Sequence, residues 1–171
     1  MVTNNPYTSP DGLVQKYGVL KTVPNLAGEY RTVGQMREVQ LKINLADLTQ
    51  SEAIQSYQTF MPAGARIAEV EVLTHTAAAT GTAIDLGLVR TDGTTEIDFD
   101  GFLAAAPIAV MNSAGERTVY TAITTVPATQ TGTGALIGTT LANVGYITCS
   151  MTDATAFTAG IIYVTIRYYV P

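Results

Sequence analysis

The sequence predicts an all-β protein whose body is a sandwich or barrel of about eight strands. From residue 37 onward, apolar residues recur at every second position, which is the pattern of strands buried on one face. Glycine, proline and asparagine interrupt this pattern at short intervals, as they do in all-β folds. Only the segments ADLTQSEA (46–53) and FDGFLAAAP (99–107) are compatible with helical turns.

The length and the composition indicate one globular body with few surface charges. A chain of 171 residues can bury a core without disulfides or metal ions. Hydrophobic residues make up 47% of the chain and charged residues only 13%, whereas an average soluble domain has about 25% charged residues. We therefore expect that partners cover much of the surface, although an exposed sheet rich in threonine would have the same composition.

Residues 1–34 are predicted to form an extended N-terminal arm, and residues 35–171 the body. Prolines and glycines interrupt the arm every few residues, so it sustains neither a helical nor a strand period. The arm is too apolar for a free tail, so we expect it to lie on its own body, on a neighbouring copy or on another partner. Its candidate partner-binding residues are Tyr7, Leu13, Tyr17, Leu20, Leu26 and Tyr30.

Eight segments of the body have the composition and alternation of strands. They are REVQLKINL (37–45), IQSYQTF (54–60), ARIAEVEVLTHT (65–76), TAIDLGLVRT (82–91), TEIDF (95–99), TVYTAITTV (118–126), GYITCSM (145–151) and GIIYVTIRYYV (160–170). The segment PATQTGTGALIGTTLAN (127–143) is predicted to be a long loop with room for two short edge strands.

The last strand is apolar on both faces. Alternation places Ile162, Val164, Ile166, Tyr168 and Val170 on a buried face, and it leaves Ile161, Tyr163 and Tyr169 on the opposite face. A strand of this kind is normally covered twice, so the second cover is expected to come from another subunit. Tyr163 and Tyr169 are therefore candidate partner-binding residues. The sequence favours a homo-oligomer, and a trimer over a dimer.

The dipeptide Asp92-Gly93 predicts a hairpin with a two-residue turn. In that register Leu88 faces Ile97 and Leu86 faces Phe99, so apolar residues meet on one face. The opposite face collects four carboxylates, and Asp85 lies directly across from Asp100. These four residues are Asp85, Glu96, Asp98 and Asp100.

This acidic face has three interpretations. It is the solvated outer side of a strand pair, a cation site, or a surface for a basic partner. The calcium interpretation is incomplete, because the twelfth position counted from Glu96 is Pro107, where an EF-hand loop needs a bidentate glutamate. No metal site or cofactor is predicted. Asp98 and Asp100 are retained as candidate residues for binding a protein partner.

The sequence offers little equipment for an enzyme. His75 and Cys149 are the only histidine and the only cysteine, and neither lies in a catalytic motif. The alternation around Cys149 indicates a buried structural thiol, and His75 is predicted to lie at the surface near glutamates. We therefore predict no catalytic residues, no cofactor and no enzymatic activity.

Charge and hydropathy argue against nucleic acid and membrane as partners. Residues 1–42 carry five basic and three acidic residues, whereas residues 43–171 carry four arginines, no lysine and eleven acidic residues. An acidic body lacks the clustered cations that phosphate binding requires. The longest apolar run, FLAAAPIAVM, is too short to span a bilayer, and no signal peptide is recognisable, so synthesis in the cytoplasm is expected.

The stretch FMPAGARIAEVEVLTHTAAATGTAIDLGLVRTDGTTEIDFDGF (60–102), followed by a Tyr-rich last strand, resembles bacteriophage head proteins of the decoration or cement kind. The resemblance covers roughly residues 36–171 and carries over no functional residue. It implies a jelly-roll-like β-sandwich of antiparallel strands and a structural protein that binds the outside of a capsid and stabilises the shell. The implied partners are the major capsid protein and copies of itself, and the implied location is the surface of the virion.

The alternative function is a receptor- or glycan-binding knob of a tail or fibre, which would also be a soluble β-sandwich oligomer. Such a module is expected to present aromatic platforms to its ligand. The chain has no tryptophan, and its nine tyrosines are spread over the arm and the strands. The copy number in purified particles separates the two functions, because a shell holds hundreds of copies and a tail holds a few.

Overall fold

The computed structural model describes residues 36–50, 59–122 and 131–170 in full, and it describes the backbone of residues 5–8 and 14–17. The chain divides into two compact units, Met1–Thr32 and Val33–Pro171. Within the described part of the chain, no helix has the length and hydrophobicity needed to cross a membrane.

The N-terminal unit contains one antiparallel strand pair. Strand β1 (Asn5–Thr8) pairs with β2 (Val14–Tyr17), with Asn5 opposite Tyr17 and Thr8 opposite Val14. Sequence periodicity did not indicate this pair, because four residues are too few to establish a period of two. The extended character of the whole arm stays a prediction, because most of its residues lie outside the described ones.

The second unit contains eight strands in the described residues and two single turns of 3-10 helix, at Leu45–Asp47 and Ile108–Val110. The strands are β3 (Met36–Asn44), β4 (Phe60–Met61), β5 (Arg66–Thr80), β6 (Ala83–Arg90), β7 (Glu96–Pro107), β8 (Arg117–Thr121), β9 (Gly145–Met151) and β10 (Phe157–Tyr169).

These strands form a sandwich of two four-stranded sheets. The first sheet has the order β3-β10-β5-β8 and the second sheet the order β4-β9-β6-β7, and every neighbouring pair is antiparallel. The chain crosses between the sheets at every connection except the β6–β7 hairpin. This strand order is that of a jelly roll, so the predicted fold class is confirmed.

The core lies between the two sheets and follows the predicted alternation. On β10, Ile162, Val164 and Ile166 are fully buried and Tyr168 is nearly so, as predicted. Val170, which follows the end of β10, is half-buried. On β9, Ile147, Cys149 and Met151 face the same core from the second sheet. Because side chains alternate along a strand, the remaining residues of β10 form part of the outer surface of the first sheet.

The predicted register of the β6–β7 hairpin is wrong. Leu88 lies opposite Asp98 and Leu86 opposite Leu103, and the ladder contains three register shifts. Five residues, 91–95, connect the strands in place of two. The Asp92 carboxylate accepts hydrogen bonds from the backbone N–H groups of Thr94 and Thr95, which stabilises this longer loop.

The helical turn with which the segment 99–107 was compatible does not form, because these residues continue β7. Residues 131–136 hold this part of β7 extended: Gly134 N–H donates to the carbonyl of Phe102 at 3.2 Å, and Leu136 N–H to that of Gly101 at 2.8 Å. In the other candidate segment, 46–53, a 3-10 turn ends at Asp47, and residues 51–53 lie outside the described ones.

Two predicted strands are described only in part. Within the predicted strand 54–60 only Phe60 belongs to an observed strand, β4, and residues 54–58 lie outside the described ones. Within the predicted strand 118–126, β8 ends at Thr121, and residues 123–126 also lie outside.

Candidate partner-binding surfaces

The predicted partner-binding residues fall into three groups in the structure. Tyr7 belongs to β1 and Tyr17 to β2. Tyr163 and Tyr169 lie on β10 in the first sheet, and Asp98 and Asp100 lie on β7 in the second sheet. The remaining arm residues, Leu13, Leu20, Leu26 and Tyr30, lie outside the described residues.

Tyr163 lies near one end of the outer face of the first sheet. It pairs with Lys42 on β3 and with Leu73 on β5, and its ring meets that of His75 edge-on with 5.8 Å between centroids. Tyr163 is half-buried and Leu73 is exposed. Aromatic rings that present both an apolar body and a polar tip are frequent in protein interfaces.

Tyr169 lies at the opposite end of the same face. It pairs with Met36 on β3 and with Arg66 on β5. Tyr169 is 41% exposed and Met36 is 59% exposed. The predicted outward direction of Tyr163 and Tyr169 is therefore correct, and the binding role of both residues stays a prediction.

A row of ion pairs crosses the middle of this face. Arg117 on β8 donates two hydrogen bonds of 2.7 Å to the carboxylate of Glu71 on β5. Arg167 on β10 bonds Glu69, lies 3.1 Å from Glu71, and lies 3.6 Å from Glu38 on β3. This ion-pair row, Glu38–Arg167–Glu69–Glu71–Arg117, links all four strands of the first sheet.

The ion-pair row favours the ionised form of Glu71. The hydrogen bond from Arg117 lowers the pKa of Glu71 most strongly, and burial opposes this effect. The Glu71 side chain is only 12% exposed and that of Arg167 only 24%. Fork-shaped guanidinium–carboxylate contacts of this kind are geometrically specific, so they fix the register of neighbouring strands as well as adding attraction.

The second sheet carries three acids on one strand, Glu96, Asp98 and Asp100 of β7, which we call the carboxylate strand. Burial, together with the hydrogen bond and the charge of Asp100, raises the pKa of Asp98 to about 6. Glu96 and Asp100 are exposed. Among the described residues, no group of three or more His, Cys, Asp or Glu side chains is arranged to hold a metal ion.

The predicted register placed Asp85 directly across from Asp100, but the structure does not pair these two residues. Its carboxylate accepts a hydrogen bond of 2.7 Å from the backbone N–H of Ala105, whose φ of 51° marks a bulge in β7. Burial raises the pKa of Asp85, and the charge of Asp100 adds to this rise. The bulge therefore gives Asp85 a backbone partner in place of a facing carboxylate.

The structure does not bring the lone histidine and the lone cysteine together. His75 is exposed on the outer face of the first sheet, whereas Cys149 is 2% exposed in the core beside the second sheet. Burial raises the pKa of the Cys149 thiol to about 12, so the thiolate is scarcely populated at neutral pH. Both residues occupy the environments that the sequence predicted.

A groove of about 390 Å³ lies between β3 and β9. Its walls include polar residues of β3, among them Lys42 and Asn44, and the core residues Leu86 and Cys149. Asn44 donates a hydrogen bond of 2.8 Å to Asp47 at the groove. The groove follows the edge of the first sheet at β3, whose one neighbour among the described strands is β10.

Sequence reasoning missed the ion-pair row and the groove. The available signal for the ion-pair row was the alternation of Glu69 and Glu71 in one strand, together with the single arginine, Arg167, of the last strand. It was insufficient because cross-strand pairs depend on the register between segments about 100 residues apart.

Comparison with known proteins yields structural similarity only. No protein-family model matches the chain, and a search of curated proteins finds no match. A chain in the cyanophage Pam1 capsid asymmetric unit is similar with a TM-score of 0.52 and 15% identity, over 88% of this chain and 95% of that chain. The similarity establishes a shared fold.

Two further capsid structures align with lower scores. A chain of the capsid of Ralstonia phage GP4 aligns with a TM-score of 0.46 and 12% identity, over 85% of this chain and 91% of that one. A chain of the acidic stable capsid of Helicobacter pylori bacteriophage KHP30 aligns with a TM-score of 0.47 and 12% identity, over 83% and 91%.

Proposed function

We propose that this protein is a structural component of a bacteriophage capsid that binds the outside of the shell and stabilises it, as decoration or cement proteins do. The observation that carries the proposal is the similarity to a chain in the Pam1 capsid asymmetric unit, which extends over 95% of that chain. Such coverage means that the shared fold makes up nearly the whole of that chain.

The outer surface of the first sheet supports a binding role. The ion-pair row satisfies its charges internally, and apolar or aromatic side chains remain exposed at both ends of the face. Charges that are already paired lose less on burial against a partner than free charges do. The exposed residues at the ends include Leu73, Met36 and Tyr169.

A non-enzymatic role agrees with the arrangement of reactive groups. In the described residues, the buried Cys149 and the exposed His75 occupy different sheets, and the acids of the first sheet are held in ion pairs. We expect His75→Ala and Cys149→Ala to leave particle binding intact. Loss of binding by either variant with an unchanged melting temperature would contradict the structural role of these residues.

The proposed partners are the major capsid protein and copies of the chain itself, and neither nucleic acid nor membrane. The arm, residues 1–34, is proposed to dock on a neighbouring copy or on the shell through Tyr7, Leu13, Tyr17, Leu20, Leu26 and Tyr30. Burying four apolar side chains yields roughly 6 to 12 kcal/mol before the entropy of ordering is subtracted. The three basic residues of the arm, Lys16, Lys21 and Arg31, suit an acidic surface.

The decisive experiment compares particles with and without this protein by electron microscopy and counts its copies. We expect hundreds of copies on the outside of the shell, and rebinding when purified protein is added to particles that lack it. A few copies confined to the tail would support the receptor- or glycan-binding knob instead. Absence from particles would contradict both functions.

Two variants test which surface binds the particle. Deleting residues 1–34 should leave a cooperatively melting β-domain that binds particles or its own copies less well; an unfolded product would mean that the arm belongs to the core. Asp98→Asn with Asp100→Asn should weaken binding, more visibly at low salt, if these acids meet a basic partner. Asp92→Asn is the matched control, because Asp92 lies in the hairpin loop and is bonded to its own turn.

A further inference from the structure

Strand β3 has a long edge without a backbone partner among the described residues. It pairs with β10 along all nine residues on one side, and the described strands provide no neighbour on the other side. An open strand edge presents a row of N–H and C=O groups that can pair with another chain. The groove between β3 and β9 runs beside this edge.

Parts of the edges of β7, β5 and β9 are covered by other segments of the chain. Residues 131–136 bond to β7, for instance through the Ala104 N–H and the carbonyl of Gly132 at 2.9 Å. Residues 138–141 bond to the start of β5, for instance through the Ile67 N–H and the carbonyl of Thr139 at 3.0 Å. On β9, the N–H of Met151 donates to the carbonyl of Thr49 at 3.0 Å. The β3 edge therefore differs from those of β7, β5 and β9.

The sequence of β3 can pair with itself in an antiparallel register. Residues directly opposite each other in an antiparallel pair have their side chains on the same face of the sheet, whereas consecutive residues of one strand alternate between faces. A two-fold axis must therefore place one residue opposite its own copy. An axis through Gln40 places Glu38 of each copy opposite Lys42 of the other, on the outer face of the sheet. Shifting the axis to Val39 or Leu41 removes this pairing of opposite charges.

We propose that two copies of this protein associate through antiparallel pairing of their β3 strands around a two-fold axis at Gln40. The first sheets of the two copies then form one continuous eight-stranded sheet. This inference extends the proposed function, on which its biological setting rests, by naming the surface through which copies associate. A two-fold contact gives two copies, or an even number, in place of the trimer that the sequence favoured.

The contact is small, so its strength depends on its setting. Opposite charges that face each other across strands each add only modest stability, and the proposed register contains two such pairs. Strand-edge contacts bury less area than a standard stable interface. We therefore expect weak association in solution and tighter association on a particle that holds several copies close together.

Disulfide trapping tests the register in the full-length protein. Gln40→Cys places two cysteines opposite each other at the axis, within the separation that a disulfide requires, and should give a covalent dimer under mild oxidation. The matched control is Asn44→Cys, because residue 44 is exposed on the same face but would lie opposite Met36. Wild-type protein controls for Cys149, which is buried.

Charge reversal tests the same contact without a cross-link. Glu38→Lys and Lys42→Glu should each weaken the dimer roughly tenfold in sedimentation equilibrium, because two opposite-charge pairs become like-charge pairs. The double reversal should restore association. Glu38 also lies 3.6 Å from Arg167, so Lys42→Glu is the cleaner single variant. Glu96→Lys makes the same charge change as Glu38→Lys, but on the second sheet, and it should leave association unchanged.

The outcomes separate the inference from the proposed function. A stable monomer at the highest soluble concentration, or equal trapping of the two cysteine variants, would overturn the β3 contact. A trimer that the β3 variants do not disturb would overturn the contact as well. A β3-dependent dimer that is absent from particles would support the contact and contradict the capsid role.

Discussion

On the first sheet, Glu69 and Glu71 lie against Arg167, and Glu71 also lies against Arg117. On the second sheet, by contrast, the charged groups that act on Asp98 of the carboxylate strand are two further acids, Asp100 and Glu96. The strands of the first sheet carry five basic and three acidic residues. Those of the second sheet carry one basic and four acidic residues. The net negative charge of the strands is therefore concentrated in the second sheet.

The two arrangements give the acids opposite responses to pH. Arginine hydrogen bonds lower the pKa of Glu71, whereas burial raises the pKa values of Asp85 and Asp98. At neutral pH, ionised Glu71 therefore stabilises the first sheet, whereas ionised Asp85 and Asp98 destabilise the second. The position of an acid relative to cations on neighbouring strands therefore decides its contribution to the stability of the fold, and net charge alone does not reveal that contribution.

The largest expected effect comes from a close backbone approach in the second sheet. A Cβ atom on Gly87 of β6 would lie 2.0 Å from the carbonyl oxygen of Asp98, so Gly87→Ala must displace β7. We expect a loss of about 3 kcal/mol in the free energy of unfolding, measured by urea denaturation. The control Gly115→Ala has open space but a φ of 83°, so it should lose only about 1 kcal/mol.

Removing the centre of the ion-pair row should have the next largest effect. Arg167→Ala leaves Glu69 without its arginine, and it leaves Glu71 with Arg117 only. We expect a clear loss in the free energy of unfolding, smaller than for Gly87→Ala and smaller than for a fully buried pair, because the row is partly exposed. The exposed Arg66, on the same sheet, provides the control Arg66→Ala, with a change within about 0.5 kcal/mol.

The effect of Arg167→Ala should also depend on pH. The pKa of Glu71 is lowered from 4.5 in the folded protein, so its ion pairs stabilise the fold above that value and lose their effect as the pH falls. The difference between wild type and variant in thermal melts should therefore shrink on acidification. A difference that stays constant down to pH 3 would mean that packing of the Arg167 side chain, and not its charge, explains the loss.

A buried hydroxyl on the inner side of the first sheet gives a smaller effect of opposite sign. Tyr120 is fully buried, and among the described residues its hydroxyl has no hydrogen-bond partner. Tyr120→Phe removes a buried polar group without opening a cavity, so we expect a gain of about 1 kcal/mol in the free energy of unfolding. A loss of stability would show that this hydroxyl is hydrogen-bonded in solution, for instance to a water molecule.

The smallest effect concerns Asp98 on the carboxylate strand. Its pKa of about 6 in the folded protein exceeds the ordinary 3.8, so its contribution to stability is present below pH 3.8 and is lost as the pH rises through about 6. Asp98→Asn should therefore raise the melting temperature at pH 7.5. We expect less than about 1 kcal/mol, because the side chain is partly exposed and solvent screens its charge.

Asp92 in the hairpin loop is the control of opposite sign. Hydrogen bonds from Thr95 and Thr94 lower its pKa to about 2, so its contribution is present above pH 3.8 and is lost as the pH falls through about 2. Asp92→Asn should therefore lower the melting temperature at pH 7.5. If Asp98→Asn and Asp92→Asn shift the melting temperature in the same direction at this pH, the inferred difference between the environments of Asp98 and Asp92 is wrong.

Much of the fold could be predicted from the sequence because alternation is a local property. A period of two in the last strand identified Ile162, Val164 and Ile166 as buried and placed Tyr163 and Tyr169 on the other face. The same local pattern indicated that Cys149 is buried and His75 exposed. Each of these outcomes depends on which side of a strand a residue lies, which neighbours in sequence determine.

The tertiary structure alone decided which residues face each other across strands. Asp92-Gly93 favoured a two-residue turn, but the Asp92 side chain stabilises a five-residue loop, and three register shifts in the β6–β7 ladder separate Asp85 from the position opposite Asp100. Likewise, Glu71 meets Arg117 and Arg167 because β8 and β10 flank β5. Pairings of this kind depend on strand order and bulges, which are set by the packing of the whole sandwich, so alternation within one segment cannot specify them.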